Sequence, residues 1–189
     1  MMSIFDRLKR EAVAATGKAV QSLGSQRETF IFRALPESLA ELQALPEASL
    51  NTPFQTAALS LCALCAYAAD KQIGTEMLNW LRGPRPLSGQ DISFLNDRFR
   101  DNKTYVPFSY FKGATPINDY TPEQPFTVTF YTGPYSDQNV GYKKLFVDSG
   151  GADNAREIIL RKRGDGKWLL WDQFLLVDIR TPKSDDPWA

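Results

Sequence analysis

The side chains of this sequence that can do chemistry are defined first by an absence. There is no histidine among the 189 residues. That removes the commonest general base at neutral pH, the commonest zinc ligand and every nucleophile built on a Ser-His or Cys-His pair. Catalysis would have to rest on carboxylates, Lys, Tyr, Arg or an activated Cys. Cys62 and Cys65 form a C-x-x-C, but they sit midway along an apolar run. A redox pair sits at a helix N-terminus after a strand, where the dipole lowers the thiol pKa. The two thiols therefore read as small core residues, and one C-x-x-C without histidine is a poor metal site. The phosphate-cradling and nucleophile-elbow motifs G-x-x-x-x-G-K, G-x-G-x-x-G and G-x-S-x-G are missing. The string GATP at Gly113 to Pro116 is a turn spelling. No catalytic residue, metal ligand or cofactor is assigned.

Two clusters remain. Arg98, Tyr105, Tyr110, Asp119 and Tyr120 gather around the end of a predicted helix and an aromatic connector. Carboxylates beside tyrosines and an arginine suit a small polar ligand, and in a histidine-free enzyme Asp97 or Asp119 would be the base and Arg98 the anion holder. The structural alternative pairs Arg98 with a carboxylate and lets the tyrosines seal the core with their hydroxyls in water. The second cluster is basic: Lys143, Lys144, Arg156, Arg161, Lys162, Arg163 and Lys167, with Tyr142 and Trp168 nearby. An anion or nucleic-acid surface can look like this. Here Asp148, Asp153, Glu157 and Asp165 are interleaved, strand alternation sends the cations to both faces, and edge lysines serve to block strand aggregation. The cluster reads as a solvated edge. Lys plus Arg and Asp plus Glu number 22 each, so there is no global attraction to nucleic acid or anionic membrane.

The elements that must position these residues are organised around Thr52 to Asp70, TPFQTAALSLCALCAYAAD. Thr52 is a good N-cap, Pro53 fits the first helical position, and Gln55 completes a capping box. No charge follows until Asp70, and a helix apolar on all sides is buried on all sides. The run is too short for a bilayer, which needs about 20 apolar residues. Before it, residues 2 to 24 carry Ile4, Phe5, Leu8, Ala12, Ala15, Ala19, Val20 and Leu23 at helical spacing. Asp6, Arg7, Lys9, Arg10 and Glu11 interrupt where a secretory signal would be apolar. Residues 1 to 27 read as an amphipathic helix or arm, residues 28 to 189 as one domain. Only residues 1 to 24 offer membrane contact.

Glu28 to Ala34 reads as a short strand, and Pro36 opens a short helix with Leu39, Leu42 and Leu45 on one side. After the central helix come a third, Gly74 to Arg82, stopped by Gly83, Pro84 and Pro86, and a fourth, Gly89 to Asp101, started by Ser88 and Asp91. Lys103 to Pro125 is aromatic and proline-rich without periodicity, as in an ordered loop packed over the core. Phe126 to Thr132, Tyr142 to Ser149, Arg156 to Arg163 and Lys167 to Phe174 read as strands joined by short turns, hence an antiparallel meander. Helices first and strands later is the α+β pattern: N-terminal helices around a buried central helix, packed on a C-terminal antiparallel β-meander.

The run LNWLRGPRPLSGQDISFLNDRFRDNKTYVPFSYFKGATPINDYTP and the ending KWLLWDQFLLVDIRTPKSDDPWA resemble a family of uncharacterised bacterial proteins, a domain of unknown function. The resemblance extends from about Thr52 to the C-terminus. It implies a bacterial, cytoplasmic protein and brings no activity, cofactor or site residue. The absence of other thiols agrees with a reducing cytoplasm. The sequence thus leads to a non-catalytic binding or interaction module, its partner a protein or a small-molecule ligand held in an aromatic-lined groove of the connector, nucleic acid not being expected. The alternatives are the histidine-free enzyme and an N-terminal helix serving as a peripheral membrane or partner anchor.

Overall fold

Thr52 begins the helix on which the rest of the chain is packed. The computed structural model describes residues 24–189, so the N-terminal amphipathic segment, with its expected role as arm or anchor, lies outside the described residues. Four α-helices and five strands make up the regular structure of these residues: β1 (Arg27–Phe32), α1 (Leu39–Ala44), α2 (Pro53–Ala69), α3 (Lys71–Arg82), α4 (Gly89–Arg98), β2 (Phe126–Tyr131), β3 (Tyr142–Val147), β4 (Arg156–Lys162) and β5 (Trp168–Gln173). The fold is α+β, as its sequence predicts.

Both halves of the capping box at Thr52 are formed. Gln55 N–H donates to Thr52 Oγ1 at 3.2 Å, and the Gln55 side-chain oxygen accepts from Thr52 N–H at 3.2 Å. Leu59, Leu61 and Leu64 on different sides of α2 are all fully buried, and Cys65 nearly so. The helix touches α3 along one side and strands β2 to β5 along the other, which is why its sequence lacks a polar stripe. Its two internal hydroxyls are satisfied without water. Thr56 Oγ1 donates to the Trp168 carbonyl at 2.7 Å, tying α2 to β5, and Ser60 Oγ donates to the Thr56 carbonyl. Against α3 the approach is closest at Gly74, where a β-carbon would lie 2.3 Å from Tyr67 Cα. Only glycine fits. Burial pushes the Cys62 and Cys65 thiols up in pKa, the behaviour of inert core cysteines.

The sheet is antiparallel throughout, in the order β1-β2-β3-β4-β5. Its first strand comes from before the helices. Arg27 to Phe32 pairs with Tyr131 to Phe126, so the meander gains an edge strand from the opposite end of the chain. Phe30 and Phe32 face the core beside Val128 and Phe130, while Ile31 stands in solvent. The last pairing is irregular. Ile159 faces Asp172 and Leu160 faces Leu170, which leaves Trp171 as an extra residue without a cross-strand partner. A bulge of this kind turns a side chain out of the regular alternation. Several boundaries differ from expectation. The third helix starts at Lys71, capped by the Asp70 carboxylate, not at Gly74. The short helix starts at Ser38, whose hydroxyl accepts from Glu41 N–H, not at Pro36. The fourth helix ends at Arg98, because Phe99 takes a non-helical conformation and Asp101 and Asn102 both adopt positive φ. Among the described residues no helix is long and apolar enough to cross a membrane.

Candidate anion-binding cleft

The connector places four of the five residues singled out in the sequence near one another. Lys103–Tyr110 winds as a 3-10 helix over the core, and the Tyr105 and Tyr120 rings stack at 5.1 Å with an interplanar angle of 9°. The hydroxyls are turned inward. Tyr110, 4% exposed, donates to the Leu175 carbonyl at 2.6 Å; Tyr120, 2% exposed, donates to the Arg180 carbonyl at 2.7 Å. Burial pushes the Tyr110 phenol up in pKa; burial, then the neighbouring Tyr105, pushes Tyr120 up to about 12. Asp119, at positive φ, accepts from Ser184 N–H at 3.2 Å. Arg156 adds bonds to the Val177 and Asp178 carbonyls at 2.9 and 2.8 Å. The connector thus grips the chain's own C-terminal segment, where the sequence reading expects a groove for another molecule. Arg98 stays with its own helix, its guanidinium 5.1 Å from the Phe94 ring centroid and its buried Nε without a hydrogen-bond partner. The expected Arg98 ion pair does not form among the described residues; Asp97 pairs with Arg100 instead.

A different concavity gathers the cations. It lies between the turn after α3 and the β4–β5 hairpin, has a volume of about 440 Å³, and is lined by Arg82, Pro84, Arg85, Arg161 to Gly164 and Leu169 to Trp171. Five of these residues are cationic and none is acidic. Such a volume is within the range of small-molecule sites, about 300–1,000 Å³.

The turn is held rigidly. Gly83 closes α3 by donating its N–H to the Asn79 and Trp80 carbonyls, at φ +60° and ψ −120°, a conformation open to glycine alone. A β-carbon there would also stand 2.8 Å from Leu169 Cδ1. Arg82 is 7% exposed. Its Nε donates to the Arg85 carbonyl at 3.0 Å and its Nη2 meets Asp91 at 3.4 Å. Burial lowers the Arg82 pKa, partly countered by Asp91. Burial raises the Asp91 carboxyl too, but the Ser88 backbone and hydroxyl donors, with Arg82 and Arg85, outweigh it and hold Asp91 below its ordinary value. Leu87 N–H donates to the Asn79 side chain at 2.8 Å. Arg82 is therefore a structural strut, and what it fixes is the backbone that carries Arg85.

Across the cleft the unpartnered Trp171 is the platform. The Arg85 guanidinium lies 4.1 Å and that of Arg161 4.8 Å from its ring centroid, and Tyr142 meets it edge-on at 5.4 Å. Lys162 lies 5.8 Å from the Trp168 ring centroid. Arg163 is paired with Asp165, whose carboxyl it pulls down to about 2. Among the described residues, neither Arg85 nor Arg161 makes an ion pair. Cation–π contact fixes where a guanidinium sits while leaving its in-plane N–H donors available. The site can thus hold an anion by charge-assisted hydrogen bonds.

Arg161, Lys162 and Arg163 belong to the basic cluster visible in the sequence. Arg82, Arg85 and Trp171 do not stand out there, because the turn lies far along the chain from the hairpin and only the fold joins them. Among the described residues no cluster of acidic, cysteine or histidine ligands could hold a metal ion.

No curated protein and no solved structure matches the chain. A family model described as a domain of unknown function, DUF6935, matches residues 34–183, beginning before Thr52, where the sequence resemblance starts. The match takes in the connector, the cleft and most of the sheet, and the chain belongs to the DUF6935 family.

Proposed function

We propose that this protein is a non-catalytic binding module that takes an anionic group of a small ligand into the cleft between the Arg82–Arg85 turn and the β4–β5 hairpin. The observation that carries this reading is that two guanidiniums are stacked on one indole and, among the described residues, neither has a carboxylate in ion-pair contact. Placing like charges together costs free energy, and a structural cluster is usually discharged by interleaved acids. The acids near this cleft pair with Arg82 and Arg163 and leave Arg85, Arg161 and Lys162 without an ion pair among the described residues. Nucleic acid is not the partner in this reading, since Arg85 already covers a face of Trp171 on which a base would stack. The resemblance and the two free thiols support a bacterial protein working in the cytoplasm.

The test is a thermal-shift screen of carboxylates, sulfonates and phosphates at low salt. A bound anion raises the melting temperature by mass action. Stabilisation that disappears in the Arg85→Ala, Arg161→Ala double variant supports the cleft. Stabilisation equal in both proteins, or none in either, contradicts it.

A further inference from the structure

We infer that the anion the cleft selects is a phosphate monoester, carried by a small organic molecule. This rests on the anion-cleft reading and adds the ligand class to it. Charge is the first argument. Arg85, Arg161 and Lys162 remain without an ion pair among the described residues after Arg82 and Arg163 are matched by Asp91 and Asp165. A phosphate monoester carries about −1.5 to −2 charges at pH 7, which discharges most of this excess. A carboxylate brings one and leaves two cations unmatched.

Geometry is the second. The two guanidiniums come from separate elements, the turn after α3 and strand β4, and share the Trp171 ring at 4.1 and 4.8 Å. A planar carboxylate has two oxygens, and one guanidinium fork satisfies both. The tetrahedral terminal phosphate offers three acceptor oxygens pointing in different directions, so it can accept from two forks at once. Lys162 and Arg163 stand on the same rim and add further positive potential.

The third argument is the room left over. The cavity of about 440 Å³ is larger than a bare phosphate needs, and Pro84, Leu169 and Leu170 give it an apolar wall. That wall suits the organic part of an ester. With Arg85 on Trp171, the organic part lies along Pro84 and Leu169 instead of stacking on the indole.

Calorimetric titration of the full chain with phenyl phosphate, benzoate and inorganic phosphate tests this. Phenyl phosphate is expected to bind about 10-fold or more tightly than benzoate, because two forks are engaged in place of one. It should also bind more tightly than inorganic phosphate, which lacks the apolar part. Its affinity should fall severalfold from pH 7.5 to pH 5.5, since the ester takes up a proton near pH 6 while arginine stays charged. Arg85→Lys keeps the charge but loses the fork, and is expected to weaken phenyl phosphate about 10-fold with little effect on benzoate. Arg85 and Arg161 are exposed, so circular dichroism of the variants should match that of the parent. If benzoate and phenyl phosphate bind equally, both sensitive to Arg85→Ala, the monoester inference falls and the anion cleft stands. If no ligand binds in a manner sensitive to Arg85 or Arg161, both readings fall together.

Discussion

Tyr110 and Tyr120 in the connector, and Arg85 and Arg161 in the cleft, all combine polar groups with aromatic neighbours. The difference lies in what their donors meet. Both tyrosine hydroxyls are spent on carbonyls of the chain's own tail, at 2.6 and 2.7 Å. The two guanidiniums lie over aromatic rings and, among the described residues, make no side-chain hydrogen bond or ion pair. A cluster of binding-type residues is thus a site only where the fold leaves hydrogen-bonding capacity over. The connector is a clamp, whereas the cleft keeps unpaired donors, the feature on which the proposed anion binding rests.

The comparison breaks if connector and cleft respond alike to substitution. Tyr110→Ala should have the largest effect, a loss of about 3 to 5 kcal/mol of stability in urea unfolding, as for other large buried rings, with anion affinity unchanged under native conditions. Gly83→Ala comes next. Strain at positive φ together with the contact on Leu169 should cost about 1 to 3 kcal/mol. It should also weaken anion binding, because the turn that carries Arg85 must shift. Tyr120→Phe deletes one hydroxyl and its part-buried bond to the Arg180 carbonyl, for about 0.5 to 1.5 kcal/mol, again without effect on the cleft.

The smallest effects concern the acids beside the cleft. Asp91 is held below its ordinary pKa when folded. Its contribution to stability is therefore present above the unfolded carboxylate value and is lost as the pH falls through the folded one. Asp91→Asn should flatten the acid limb of the stability profile and leave neutral to alkaline pH as the place where destabilisation is seen. Asp165→Asn releases Arg163 and should tighten phenyl phosphate severalfold. Because the Asp165 carboxyl is held at about 2, its own titration does not alter that ratio from pH 8 down to pH 5, and the ratio should shrink only as the ester takes up its proton near pH 6.

Much of the scaffold was legible in the sequence because it is locally encoded. The Thr52-Pro53-Gln55 start and the Ser88-Asp91 start are capping chemistry, readable within four residues. The uncharged run from Ala57 to Ala69, apolar except for Ser60, declares a helix enclosed on every side. The alternation of Phe126, Val128 and Phe130 against threonines declares a strand with one face inward. What was not legible depends on contacts between distant segments. The pairing of Arg27–Phe32 with β2 cannot be told from a free-standing strand. The bulge that singles out Trp171 depends on the register between β4 and β5. The connector tyrosines looked available because nothing local reveals that Leu175 and Arg180 supply their acceptors. The hairpin cations by themselves read as a solvated edge, and Arg85, which lines the same cleft, lies outside their segment.

The most direct test of the account follows backbone and indole N–H resonances of the full chain by NMR while phenyl phosphate is added at low salt. The account predicts saturable shifts at the Trp171 indole, at Arg85 and at Arg161 to Gly164, with Tyr105, Tyr110 and Tyr120 unmoved. Shifts centred on the connector tyrosines, with Trp171 and Arg85 silent, would contradict it.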